Sequence, residues 1–174
     1  MMWIYCGAMM IVVALSNYLV QFPLNDWLTL GAFSYPFSFL VTEWSTYRLG
    51  ARKACQIVLV GFLLGLYLSF GVAPFKIACA SGFAFLVSQL LDIAIFSRLR
   101  KAPWWAAPLC ASTIASLIDT FLFYGVAFAG ENVPLLQWSL GDFGVKVAVD
   151  LAMLGPFRYA QNRYNPQERL SQAA

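Results

Sequence analysis

The chain has 174 residues, 61% of them hydrophobic and only 11% charged, with a mean hydropathy of +0.71 and a formal charge of +3. Soluble domains carry about 25% charged residues, so this composition excludes a soluble fold and implies an integral membrane protein. The small positive charge acts as an insertion signal and gives no nucleic-acid patch.

Apolar stretches run from Met1 to Val20, Trp27 to Tyr47, Ala54 to Ala73, Lys76 to Ser97, Trp104 to Ala129 and Trp138 to Ala160. Each is near the roughly 20 residues that a bilayer-spanning helix needs. The fold expected is an all-α integral membrane protein, a compact bundle of six transmembrane helices with residues 1–160 as one domain and residues 161–174 as a short cytoplasmic tail. The first stretch has no basic n-region and no clear small-residue cleavage site, so it is expected to stay as a helix.

The second stretch is the least regular. In LTLGAFSYPFSFLVTEW, Pro36 removes a backbone donor and disfavours helix at Tyr35. The helix should be kinked or broken near Pro36. A break would line a water-filled cavity and mark a binding site; a simple kink would leave Glu43 at the cytoplasmic interface. In the third stretch, Gly61, Gly65 and Gly71 suit close helix contact, within one bundle or between two copies in a homo-oligomer.

The fourth and fifth stretches each hold a carboxylate in an apolar run, Asp92 in SGFAFLVSQLLDIAIF and Asp119 in STIASLIDTFLFYGVAF. Ionisable groups at membrane depth are expensive and mark functional sites by default. Gln89 precedes Asp92 by one helical turn, and Ser116 precedes Asp119 likewise, so each pair shares a face. SQLLDIAIF aligns with ASLIDTFLF, with a fainter third copy around Asp150, as in transporters grown from repeats. In the last stretch, Lys146 and Asp150 are spaced to pair on one face, although Asp92 or Asp119 would serve Lys146 equally well across helices.

Basic residues gather in cytoplasmic loops. Arg48, Arg52 and Lys53 follow the second stretch, Arg98, Arg100 and Lys101 the fourth, and Arg158, Arg163 and Arg169 the sixth. The opposite loops hold Asp26, Lys76, Glu131 and Asp142, so both termini should be cytoplasmic. Trp3, Trp27, Trp44, Trp104, Trp105 and Trp138 fall near span ends, where headgroups favour them. Cys6, Cys55, Cys79 and Cys110 are scattered and histidine is absent, so no metal site, cofactor or disulfide framework is expected.

Four strings now sit in register: SYPFSFLVTEW with RLGARKA, ASGFAFLVSQLLDIAIFSRLR, WWAAPLCASTIASLIDTFLFYGVAFAG, and LGDFGVKVAVDLAMLGPFR. Together they resemble the VUT family of queuosine precursor transporters, in its short bacterial form. The resemblance implies a multi-pass protein of the bacterial inner membrane that imports 7-cyano-7-deazaguanine, or a related 7-deazapurine, for tRNA modification. Two positions depart from the family pattern. Thr42-Glu43 stands where the family has Thr-Asp, and Tyr47 stands where longer members carry an acid.

A 7-deazaguanine presents a ring N–H beside an exocyclic amine, two parallel donors that a carboxylate accepts together. Asp92, Asp119 and Glu43 are the candidate acceptors, with Lys146 as a polar partner. Gln89 can meet the carbonyl edge, and Ser88, Ser112, Thr113 and Ser116 add hydroxyls. Tyr35, Phe39, Phe85 and Phe123 are candidate stacking surfaces. Proton uptake and release by Asp92 or Asp119 would couple import to the gradient; otherwise the protein equilibrates its substrate. The alternative within transport is the substrate-binding membrane subunit of an ATPase-coupled vitamin or nucleobase importer. An intramembrane enzyme using an Asp92 and Asp119 dyad is a third class, without a scissile substrate to motivate it, and the chain is expected not to be an enzyme.

Overall fold

In hydrocarbon every backbone polar group must be paired within its own segment, so the apolar runs fold as helices. The computed structural model describes residues 1–164. Its helices are α1 (Met2–Leu19), α2 (Gly31–Ser34), α3 (Phe37–Leu49), α4 (Ala51–Val72), α5 (Phe75–Leu99), α6 (Ala106–Ala127) and α7 (Leu135–Tyr164). Most of the C-terminal tail expected over residues 161–174 lies outside the described residues.

By length and composition, α1, α4, α5 and α6 can each cross a membrane. The other two crossings are special. From Gly31 to Leu49, α2 and α3 together reach about 28 Å at 1.5 Å per residue, and α7 carries Asp142, Lys146 and Asp150 within one long helix.

The second crossing is kinked and does not unwind. Tyr35 (φ −59°, ψ −42°) and Pro36 (φ −60°, ψ −20°) both keep helical dihedrals. Pro36 has no N–H to give Ala32, and the next turn tightens, with Ser38 N–H reaching Tyr35 O at 2.9 Å and Phe39 N–H reaching Pro36 O at 3.0 Å. A simple kink was expected to leave Glu43 at the interface; instead Glu43 is only 3% exposed, because α3 runs through the middle of the bundle.

This crossing also starts later than hydropathy implies. Trp27 belongs to a tight loop, where Asn25 Oδ1 accepts from the N–H groups of Trp27 (3.0 Å) and Leu28 (2.7 Å). Leu24 N–H closes the loop onto Leu28 O at 2.7 Å. Local side-chain bonding of this kind competes with helix. At the far end, Gly50 turns the chain from α3 directly into α4 with φ at +83°, a region that favours glycine.

Around the bundle α1 packs on α4, α4 on α5, α5 on α6 and α6 on α7, while α2 bridges α1 and α7. The centre is held by α3, which touches α1, α4, α5, α6 and α7. Gly61 and Gly65 let α4 approach α1: a Cβ at Gly61 would sit 2.6 Å from Met9 Cγ, and one at Gly65 would sit 3.0 Å from Val13. Both contacts lie within one bundle. Gly71 meets nothing within 4 Å.

Six crossings bring the basic ends of α3, α5 and α7 together. Arg100 donates to Tyr47 O at 2.8 Å, and the Arg158 guanidinium lies 4.7 Å from the centre of the Trp104 ring. At the opposite end Lys76 reaches Ala129 O at 2.9 Å and lies 3.6 Å from Glu131.

Candidate functional site

A charged cluster joins α6 and α7 to the Pro36 kink. The Lys146 ammonium has three donors, and each has an acceptor: Asp142 Oδ2 at 2.7 Å on its own helix, Asp119 Oδ2 at 2.9 Å and Thr120 Oγ1 at 2.9 Å. The Thr120 hydroxyl in turn donates to Asp142 Oδ2 at 2.9 Å. Burying charges is tolerable only with such complete pairing. The other oxygen of Asp119 accepts from Tyr35 at 2.8 Å and faces Ser88 at 3.2 Å, whose hydroxyl also serves Phe85 O at 3.0 Å. Lys146 Nζ lies 5.2 Å from the centre of the Tyr35 ring, a cation–π distance.

Asp119, Asp142, Lys146 and Tyr35 line a cavity of about 260 Å³ between α1, α2, α4, α5, α6 and α7. Its mouth lies at the end opposite the basic loops, where Val20, Thr29, Ala73 and Phe128 line it. Its inner wall is formed by Ser38, in the first turn of α3, and by Gly61 and Phe85 near the middle of α4 and α5. Phe123 and Tyr124 face it as well, and Tyr124 is anchored by donating to Trp27 O at 2.7 Å. Asp119 is fully engaged. Asp142 differs, because both of its hydrogen bonds use Oδ2, so Oδ1 has no partner among the described residues. A cavity at membrane depth, with aromatic faces and one carboxylate oxygen without a partner among the described residues, can bind a small flat polar solute.

Residues 68–160 match the family described as "Putative vitamin uptake transporter". The chain belongs to the vitamin uptake transporter (VUT) family. Similar curated proteins are the "Queuosine precursor transporter" of Escherichia coli, 32% identical over 84% of this chain and 80% of that one, and the "Probable queuosine precursor transporter" of Haemophilus influenzae, 31% identical over 83% and 79%. A third, from Bacillus subtilis and also named "Probable queuosine precursor transporter", is 28% identical over 82% and 75%. No solved structure matches. This VUT protein is therefore a multi-pass membrane transporter and not an enzyme.

The eight residues singled out in the sequence separate into two levels in this VUT transporter. Tyr35, Asp119 and Lys146 line the cavity, and Ser88 touches Asp119 from behind. Glu43, Gln89, Asp92 and Ser116 lie deeper and do not line it. Gln89 donates to Ser38 Oγ at 2.7 Å and accepts from Thr42, and Ser116 donates to Asp150 at 3.0 Å. Of the aromatic candidates, Phe85 and Phe123 line the cavity, whereas Phe39 packs away from it.

Two expectations about α7 are corrected. Lys146 forms no ion pair with Asp150; it pairs one turn the other way, with Asp142. Asp142 itself was assigned to a loop, but α7 begins at Leu135, which places Asp142 two turns inside the helix and only 7% exposed. The signal was present as acid, base and acid at positions 142, 146 and 150, a repeat of one helical face. Thr120 and Tyr124 were likewise unmarked, being a hydroxyl and a ring in a segment rich in both.

Proposed function

We propose that this protein imports a queuosine precursor, a 7-deazaguanine such as 7-cyano-7-deazaguanine, across the bacterial inner membrane. The names of its relatives carry the substrate class, and the chemistry of the cavity supports it. A flat bicyclic base suits a small cavity in which a few polar groups set orientation and aromatic rings supply contact area. Asp142 Oδ1 accepts one N–H donor of the base, with Thr120 and Lys146 holding the other oxygen and so the carboxylate's position. Phe85, Phe123 and Phe128 offer faces for stacking.

Eight basic residues of the described chain, at positions 48, 52, 53, 98, 100, 101, 158 and 163, gather at helix ends and in the loop on one side and support cytoplasmic termini by the positive-inside rule. The cavity mouth then faces outward, and the conformation is one that receives substrate from outside. The test is queuosine-modified tRNA in cells unable to make the precursor, supplied with 7-cyano-7-deazaguanine at low concentration. The gene restores the modification and an empty vector does not; Asp142→Asn, present in the membrane at normal abundance, fails. Restoration by Asp142→Asn equal to the native protein would remove Asp142 from the site. No restoration by the native protein would overturn the substrate.

A further inference from the structure

Below the cavity, on the far side of the Pro36 kink, lies a second set of acids that substrate recognition does not use. Glu43 on α3, Asp92 on α5 and Asp150 on α7 are all buried, at 3%, 0% and 3% exposure. Among the described residues, both oxygens of Asp92 and Oε1 of Glu43 lack any hydrogen-bond partner. Glu43 and Asp150 line a void of about 10 Å³ with Ser112 and Pro36, and the charges of Asp92 and Asp150 are felt at Glu43.

Charge balance makes this arrangement informative. The described bundle buries five carboxylates, at positions 43, 92, 119, 142 and 150, against a single ammonium, Lys146. That ammonium is committed to the upper level, to Asp119, Asp142 and Thr120. Among the described residues facing the lower acids, only the Ser116 hydroxyl on α6 donates, to Asp150. Lys146, one turn above on α7, acts on Asp150 through space. An isolated carboxylate in such a place is neutralised instead of left charged, and acids within the membrane commonly serve as proton relays.

We propose that Glu43, Asp92 and Asp150 form a proton-binding site, separate from the substrate cavity, through which import is coupled to the proton gradient. The inference rests on the reading of the protein as an importer. A proton is the ligand because the void holds about one water at most and no three acids among the described residues converge at metal-binding distance. The two levels are mechanically joined. Ser38 in the cavity wall accepts from Gln89, and Gln89 accepts from Thr42, the residue before Glu43. Gln89 is also one turn from Asp92 on α5. Tyr35, immediately before Pro36, binds Asp119 in the cavity, while Pro36 itself borders the void. Protonation below and substrate above therefore act on the same turn of α2 and α3.

The experiment uses the purified protein in liposomes with two readouts. Infrared spectroscopy without substrate should show the carbonyl stretch of a protonated carboxyl at neutral pH, diminished in Asp92→Asn and in Glu43→Gln. Uptake of labelled 7-cyano-7-deazaguanine should accumulate at least tenfold under an inward proton gradient and collapse with a protonophore. In Asp92→Asn, accumulation is lost while exchange of internal for external substrate becomes independent of pH. The proposal is overturned if no protonated-carboxyl band depends on Asp92 or Glu43, if both variants accumulate substrate like the native protein, or if a sodium gradient drives accumulation in place of protons. A native protein that shows the band but ignores this base would keep the proton site and sink the substrate instead.

Discussion

Tyr35 donates its phenolic proton to Asp119 Oδ1 at 2.8 Å, which ties the last residue before the Pro36 kink to the middle of α6. The bond crosses from the central helix to the cavity wall. Removing its donor should leave Asp119 Oδ1 with one weaker partner, Ser88, while Oδ2 keeps Lys146, and let the carboxylate and Lys146 shift together.

Tyr35→Phe keeps the ring, and with it the cation–π contact with Lys146, but deletes a hydrogen bond to a charged group. Such bonds contribute about 1.5–3 kcal/mol, so uptake at limiting substrate should fall about tenfold or more, mostly through a raised KM. Uptake kinetics in liposomes check this. An unchanged KM would mean that the bond is structural only.

Lys146→Met should be more damaging to stability than Asp119→Asn. The first leaves Asp119 and Asp142 buried without their cation, a situation worth about 3–5 kcal/mol of destabilisation. The second leaves Lys146 still paired with Asp142 at 2.7 Å. Thermal unfolding in detergent, followed by a tryptophan or thiol probe, should rank native above Asp119→Asn above Lys146→Met. The reverse order would show that Asp142 does not hold Lys146 on its own.

How much of this was legible in the sequence depended on whether a feature was local. Asp92 and Asp119 stood out because each interrupts an apolar run, and the spans containing them fold as continuous helices, α5 and α6. Their aligned positions suggested equivalent roles, but equivalence in sequence does not survive packing. On α6, Asp119 turns to the cavity and meets Lys146, whereas Asp92 is enclosed on α5 with no donor among the described residues. Which acid takes Lys146 was undecidable from spacing, since Asp142 and Asp150 are both four residues away; the choice comes from Ser116 on α6, which binds Asp150. Hydropathy misplaced the start of the second crossing because a side-chain turn at Asn25 overrides an apolar composition.

Gly61→Leu should disrupt the contact of α1 with α4, whereas Gly71→Leu should not. Even a Cβ at Gly61 would press on Met9 at 2.6 Å, and a flexible methionine can yield to that alone. Three further carbons exceed what it can absorb, and overpacking costs typically 1–3 kcal/mol. Gly71 has open space around it. The melting temperature should drop clearly for the first variant and stay within error for the second; equal effects would contradict the packing of α1 on α4.

The topology itself can be tested with single cysteines in a background where Cys6, Cys55, Cys79 and Cys110 are replaced by serine or alanine. Asp26 lies in the exposed loop between α1 and α2, and Arg100 at the end of α5 on the opposite face. A membrane-impermeant maleimide applied to intact spheroplasts should label Asp26→Cys and spare Arg100→Cys until the membrane is opened. Because Arg100 lies at the surface and, among the described residues, bonds to Tyr47, Arg100→Ala should leave uptake close to native. The reverse labelling pattern would place the cavity mouth in the cytoplasm, and the conformation described here would then be the one that releases substrate rather than the one that receives it.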